Sequence, residues 1–309
     1  MLRIDKLTKY YGKFLALDGL SLEIENGKLH GFVGPNGAGK TTTMRILATL
    51  LSVSSGDAWI NGVSVRKEGK KIRRIVGYMP DFFGVYDGLK VYEYLDFYGS
   101  CYGIAYKERL KVTDQMLELV ALTDKKNAYV DTLSRGMKQR LCLARSLIHN
   151  PVLVILDEPA SGMDPRARAE MKGILRTLKD INKTVLISSH ILPELSEICD
   201  SLSIIERGKL LFSGDMNALA RYMQKESPLV IKTTKKSDEM TRILKETHGV
   251  TGIEVDEEGA FRVEFSGDRA LLLAKLVEEK VPVYDFHRAP VDLETAFMEV
   301  TQHDDQPSV

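Results

Sequence analysis

The chain has 309 residues, of which 44% are hydrophobic and 28% charged. That is ordinary globular usage with length for one large domain or two, and it excludes a mainly disordered or collagen-like chain. Lys and Arg together number 43, as do Asp and Glu, so the formal charge is zero and the basic excess of a dedicated nucleic-acid binder is missing. The longest clean apolar run, residues 152–156, is far short of the roughly 20 residues that cross a bilayer. Asp5 and Lys6 fall where a signal peptide would be apolar, so no export is expected. Cys101, Cys142 and Cys199 are widely spaced, which suits reduced thiols in a cytoplasmic setting.

Taken in chain order, Leu2, Ile4 and Leu7, then Leu20, Leu22 and Ile24, alternate as two antiparallel strands would. Residues 29–33 read as a strand that runs into a glycine-rich turn and a helix from Thr42. Helical sequence is expected from about 85 to 150, with Met116, Leu117, Val120 and Ala121 on one face of a helix over 114–122. A buried strand at 152–156, a helix at 166–180 and strands at 184–188 and 202–206 then alternate as in a parallel α/β sheet. Beyond residue 226 the elements shorten: strand 229–234, helix 237–247, strands 250–256 and 260–266, helix 268–279, strand 281–287. This β-α-β-β-α-β order is the split βαβ layout. Asp292 is expected to cap one more helix through Leu293, Phe297 and Val300, with 303–309 a frayed tail. Two domains are expected, 1–226 and 227–302.

Gly34, Pro35, Asn36, Gly37, Ala38, Gly39, Lys40, Thr41 and Thr42 match the phosphate-loop pattern G-x-x-x-x-G-K-[ST] between a strand and a helix. Glycines let successive backbone N–H groups curl toward phosphate oxygens, and the helix N-terminus adds positive potential. Lys40 is expected to reach the β/γ-phosphates and the Thr41 hydroxyl to ligate Mg²⁺. The apolar run 152–156 ends in Asp157 and Glu158, which places both acids at the C-terminal edge of the sheet, where α/β folds bind ligands. Asp157 is expected to hold Mg²⁺ through its water shell, and Glu158 to act as general base toward the attacking water.

Leu133-Ser134-Arg135-Gly136-Met137-Lys138-Gln139-Arg140 resembles the signature of the nucleotide-binding domain of ATP-binding cassette (ABC) transporters, and the resemblance extends over about residues 2–222. It implies an α/β phosphate-loop ATPase with a mixed sheet core, an antiparallel β-subdomain and a helical subdomain, here followed by a small α+β ferredoxin-like domain. It also implies ATP and Mg²⁺ as ligands and a head-to-tail dimer in which Ser134, Arg135 and Gly136 face the γ-phosphate bound by the second subunit. Tyr11 takes the position whose ring stacks on adenine, and the segment from Ser161 to Asp164 that of the loop crossing the dimer interface. His190 takes that of the switch histidine contacting γ-phosphate. Arg135 and Met137 depart from the signature pattern. So does Asp81, which stands where the family presents a Gln to Mg²⁺ and water; an Asp is shorter and anionic, and it adds charge beside triphosphate unless it works through the metal.

Tyr78, Phe82, Phe83, Tyr86, Tyr92, Tyr94, Phe97, Tyr98, Tyr102 and Tyr106 crowd ten of the chain's aromatic residues into one segment, and amphipathic aromatics concentrate at interfaces. In the family this segment receives the transmembrane permease subunit. The segment 77–89, with the C-terminal domain, is similar to the branch of ATPase subunits that energise ABC-2 type permeases. The expected function is therefore the ATP-hydrolysing subunit of an exporter, cytoplasmic and peripheral on the inner face of the membrane, paired with a permease and a second copy, without nucleic acid. The alternative is a soluble non-transport ABC ATPase acting on nucleic acid or ribosomes, favoured by the basic run Arg66 to Arg74 and disfavoured by the lack of sustained heptads. The zero net charge is a cancellation: residues 1–226 hold 33 basic and 26 acidic side chains, and 227–309 hold 10 and 17.

Overall fold

Apolar alternation at the N-terminus produces two long strands, β1 (Leu2–Tyr11) and β2 (Phe14–Ile24), paired antiparallel with Leu2 opposite Ile24 and Tyr11 opposite Phe14. The computed structural model describes residues 1–289 apart from 83, 85–87, 235–236 and 257–258. Strand β3 (Leu29–Val33) is buried along its whole length and leads into α1 (Lys40–Leu47). Next come β4 (Ser55–Ile60) and β5 (Val63–Ser64), which complete a four-stranded sheet in the order β2-β1-β4-β5. Helix α2 (Gly69–Ile75) precedes β6 (Val76–Met79), and the helical part follows as α3 (Val91–Cys101), α4 (Tyr106–Leu119) and α5 (Arg135–Leu147). Then β7 (Leu153–Leu156), α6 (Pro165–Asp180), β8 (Thr184–Ser189), α7 (Leu192–Ser196), β9 (Ser201–Glu206) and β10 (Lys209–Asp215) complete a six-stranded sheet ordered β10-β9-β3-β8-β7-β6.

The sheet is mixed, because β10 runs antiparallel to β9 whereas β9, β3, β8, β7 and β6 are mutually parallel. The reversal is local: Arg207 and Gly208 both have positive φ, 45° and 78°, the backbone of a two-residue hairpin turn. Phe32, Met44, Ile46, Leu47, Leu153, Ile155 and Leu186 bury between the two sheets and α1. In the helical part, Leu117 and Val120 are buried as expected, but Ala121 is exposed with φ 51°. Helix α4 ends before it, and buried Arg140 donates to the carbonyls of Val120 (2.8 Å) and Ala121 (3.0 Å) while pairing with Glu170 at 3.2 Å. An arginine therefore serves the carbonyls freed at the helix end. Of the aromatic cluster, Tyr94 is fully buried and Phe82, Phe97, Tyr102 and Tyr106 are exposed; Phe83 and Tyr86 lie outside the described residues.

The chain divides into two compact units, the first Met1–Met216 and the second starting at Asn217. The second holds α8 (Met216–Glu226) from Asn217 onward, β11 (Leu229–Thr233), α9 (Ser237–Lys245), β12 (Val250–Val255), β13 (Phe261–Phe265), α10 (Arg269–Glu278) and β14 (Val283–Arg288). Its sheet is antiparallel throughout, in the order β12-β13-β11-β14. Leu229, Ile231, Phe261 and Val263 from the sheet meet Met240, Leu244, Leu272 and Leu276 from the helices. Asp268 caps α10 by accepting from the Ala270 N–H at 2.8 Å. The helix expected after Asp292 and the tail 303–309 lie outside the described residues.

One polar group is sealed inside the first unit. His30 on β3 is 2% exposed and sits between the hydroxyls of Ser201 (2.7 Å) and Ser203 (2.8 Å), and Ser203 donates in turn to Ser213 at 2.9 Å. Burial pulls the imidazole down to about 4, so it stays neutral in the fold. The unfolded chain, with an ordinary His30, takes up a proton first as pH falls. We therefore expect unfolding free energy to fall by about 3 kcal/mol between pH 6.5 and pH 4 from this group. Urea titrations across that range should show the slope in the wild-type chain, and a His30→Asn variant, less stable overall, should lack it.

Candidate active site

Strand β3 delivers the chain to Gly34, and the turn ends at Gly39, which takes φ 106° as the residue before α1. Both glycines are sterically required. A Cβ on Gly34 would lie 2.2 Å from the Ile205 carbonyl oxygen, and one on Gly39 would lie 2.7 Å from Leu17 Cδ2 and 2.9 Å from the Ala16 carbonyl oxygen. The turn opens onto a cleft of about 480 Å³ lined by Tyr11, Phe14, Ala16, residues 35–42, Asp81, Glu158, Ser161 and His190. Tyr11 and Phe14, 45% and 64% exposed, flank the β1–β2 turn as register partners and form the cleft's aromatic wall. Lys9 lies over the Tyr11 ring, 5.4 Å from its centroid.

The acidic side of the cleft is built where β7 ends. Asp157 has no exposed surface. Its Oδ1 accepts from Thr41 Oγ1 (3.1 Å) and Ser188 Oγ (2.8 Å), while its Oδ2 is buried with no hydrogen-bond partner. Burial foremost raises the Asp157 carboxyl above the usual carboxylate range, Asp81 and Glu158 add to that, and the two hydroxyls oppose it. Burial and nearby Asp157 also push the Tyr78 hydroxyl up to about 12. Thr41 and Asp157 therefore offer an oxygen-only donor set that suits a hard divalent cation.

Glu158 stands in the left-handed region with φ 50°, a conformation that costs a non-glycine residue energy and persists only where its surroundings impose it. Its N–H donates to Ser188 Oγ at 3.0 Å. Its carboxylate is held between two bases: Oε1 lies 3.6 Å from Lys40 Nζ and Oε2 lies 3.0 Å from His190 Nδ1. Lys40, buried, also donates to the carbonyls of Gly34 (2.6 Å) and Pro35 (3.2 Å). Burial lowers its ammonium from the usual lysine value, and Glu158 works against that.

Ser134, Arg135, Gly136 and Asp164 do not line this cleft. Ser134 caps α5 by accepting from the Met137 N–H at 3.3 Å, and Asp164 caps α6 by accepting from the Ala167 N–H at 2.8 Å. Gly136 packs so closely that a Cβ would meet Ala167 Cβ at 2.7 Å. Arg135 Nη2 and Gln139 Nε2 both donate to the Ser161 carbonyl, at 3.1 and 3.0 Å, which ties the start of α5 to the turn following Glu158. Phe14 and Ser188 escape the sequence reading. The pairing of Phe14 with Tyr11 across a two-residue turn is a signal for the first; the second has no local signal, being 31 residues from Asp157.

Comparison with known proteins identifies the family. The family model described as ABC transporter matches residues 17–161. The bacitracin transport ATP-binding protein BcrA of Bacillus licheniformis is 35% identical over 303 residues, 97% of each chain. The linearmycin resistance ATP-binding protein LnrL of Bacillus subtilis (strain 168) is 34% identical over 214 residues, 69% of each chain. The chain belongs to the ABC transporter ATP-binding proteins. A solved ATP-binding subunit of an ABC transporter superposes with a TM-score of 0.65 at 26% identity, covering 72% of this chain and 92% of its own. The fold is shared with the dimeric, ADP- and Pi-bound post-hydrolysis structure of the cassette MJ0796, with a TM-score of 0.64 at 23% identity, covering 70% and 99% respectively.

This chain is accordingly an ATP-binding, ATP-hydrolysing ABC transporter subunit. Because Ser188 both fixes the strained Glu158 N–H and holds Asp157, Ser188→Ala should lower steady-state ATP turnover by roughly tenfold or more, the cost of leaving these buried hydrogen bonds unmade. A phosphate-release assay, with thermal unfolding as a fold control, checks this.

Proposed function

We propose that this subunit energises an exporter. Two copies close head to tail on separate transmembrane permease subunits of the ABC-2 type, at the inner face of the cell membrane, and ATP hydrolysis reopens them. The observation that carries the reading is the arrangement of Glu158 between Lys40 and His190 at the mouth of the phosphate loop, with Ser134, Arg135 and Gly136 outside the cleft of their own chain. Such a site is completed by the signature segment of a second copy. The names of BcrA and LnrL, transport and resistance, support export over the reading as a soluble ATPase acting on nucleic acid. Among the described residues no helix is long and apolar enough to cross a membrane, which supports a separate permease. The exposed Phe82, Phe97, Tyr102 and Tyr106 supply the aromatic surface for that contact.

In this mechanism Tyr11, with Phe14 beside it, stacks on adenine. The loop N–H groups, the start of α1 and the Lys40 ammonium hold the β- and γ-phosphates. Thr41 and Asp157 fit Mg²⁺, on the evidence of their paired oxygens and the free buried Oδ2; bound there, the ion would neutralise phosphate charge. Glu158 takes the proton of the attacking water, aimed by its left-handed backbone and by His190, which also contacts the γ-phosphate. The segment from Ser161 to Asp164 crosses the dimer interface, and its tie to Arg135 and Gln139 links this chain's own cleft to the segment it offers the second copy. The β-α-β-β-α-β order of the second unit, with β11 and β13 central in its sheet, supports reading 227–302 as a ferredoxin-like α+β domain appended to the 1–226 cassette.

Glu158→Gln should retain ATP binding, cut turnover by about 10²–10⁴-fold as loss of a general base does, and accumulate an ATP-dependent dimer in size-exclusion chromatography. Lys40→Ala should instead weaken ATP binding itself. Unimpaired turnover in Glu158→Gln overturns the base assignment. For the transport reading, the subunit should co-purify from membranes with its permease, and a chain that stays wholly in the supernatant with its permease present counts against it.

A further inference from the structure

We infer that Asp81 makes the nucleotide cleft discriminate metal-bound from metal-free nucleoside triphosphate, by contributing a negative charge that only a divalent cation arriving with the phosphates offsets. This rests on the reading of the cleft as the ATP site and adds to it a specificity residue.

The placement follows from the sheet. Strand β6 pairs in parallel with β7, with Met79 opposite Leu156, and the Asp157 N–H donates to the Met79 carbonyl at 2.9 Å. Asp81 and Asp157 thus leave neighbouring strands at one edge, and Asp81 lines the cleft together with Thr41, Glu158 and His190.

The charge balance at that edge is unequal. Lys40 is the one lysine or arginine lining the cleft among the described residues, and it is already engaged by Glu158 at 3.6 Å and by two loop carbonyls. Asp157 has hydroxyl partners on one oxygen only; the other is wholly buried and unpartnered. Asp81 therefore adds its charge to a side of the cleft whose cation is spoken for. A metal-free triphosphate brings its full negative charge against this edge, whereas a cation-bound one brings much of that charge neutralised and carries the ion that the carboxylates attract. Across a partly solvated cleft, a unit charge several ångströms away is worth about tenfold in binding.

The test is isothermal titration of the full chain with ATP, once with excess Mg²⁺ and once with EDTA, for wild type, Asp81→Asn and Asp81→Glu. Asp81 is exposed, so the variants should unfold thermally as wild type does. Asp81→Asn should tighten metal-free ATP about tenfold while Mg·ATP changes much less, so the ratio of the two dissociation constants shrinks; Asp81→Glu should keep the wild-type ratio. A ratio unchanged in Asp81→Asn, with both forms of ATP bound, overturns the role of Asp81 and leaves the site standing. Loss of Mg·ATP affinity in Asp81→Asn with metal-free affinity unmoved also overturns it, since Asp81 would then be a ligand and not a charge filter. A wild-type chain that takes up ATP in neither buffer removes the nucleotide reading itself.

Discussion

The site depends on one buried carboxylate. Asp157 sits at the end of a strand whose four residues are all buried, and a carboxylate with no exposed surface is costly unless hydrogen bonds replace its water. Thr41 from the phosphate loop and Ser188 from β8 provide those bonds on one oxygen. The same two bonds clamp three parallel segments together: the start of α1, the end of β7 and the end of β8. The charged groups around the phosphate loop are referenced to that clamp. Glu158 follows Asp157 directly, His190 follows Ser188 by two residues, and Lys40 precedes Thr41.

The clamp also explains why a strained residue is tolerated. Left-handed backbone at a glutamate is unfavourable by itself, yet here the Glu158 N–H has Ser188 as acceptor and its carboxylate has Lys40 and His190. Strain is thus held by three partners, Lys40 at the start of α1, Ser188 on β8 and His190 just beyond it, and it turns the carboxylate into the cleft instead of along the strand. The turn beyond is braced from the other side by Arg135 and Gln139 on the Ser161 carbonyl. Arg135, a departure from the family signature, therefore has a definite local role within this chain.

Much of the fold was legible because its determinants are periodic. The hairpin of β1 and β2 and the six elements from β11 to β14 follow from apolar spacing of two or of about three and a half, and the buried β3 and β7 from short continuous apolar runs. Where reading failed, a local conformation or a distant partner decided. Ala121 has the right spacing for a helical face but the wrong backbone, since the helix ends before it and Arg140 takes its carbonyl. Strand β10 went unread because its reversal needs Arg207 in a left-handed conformation that an arginine does not advertise.

The sequence by itself determined the phosphate loop, the Asp157-Glu158 pair, the signature segment and the β-α-β-β-α-β order that follows residue 226. These are short stretches whose chemistry is carried by consecutive backbone groups and neighbouring side chains, so spacing alone reports them. Only the tertiary structure decided which groups complete the site: Ser188 under Asp157 across 31 residues, Thr41 against Asp157 across 116, and Asp81 brought level with Asp157 by the pairing of β6 with β7. Such contacts depend on strand order and register, which are set by burial of the whole sheet and not by any one segment.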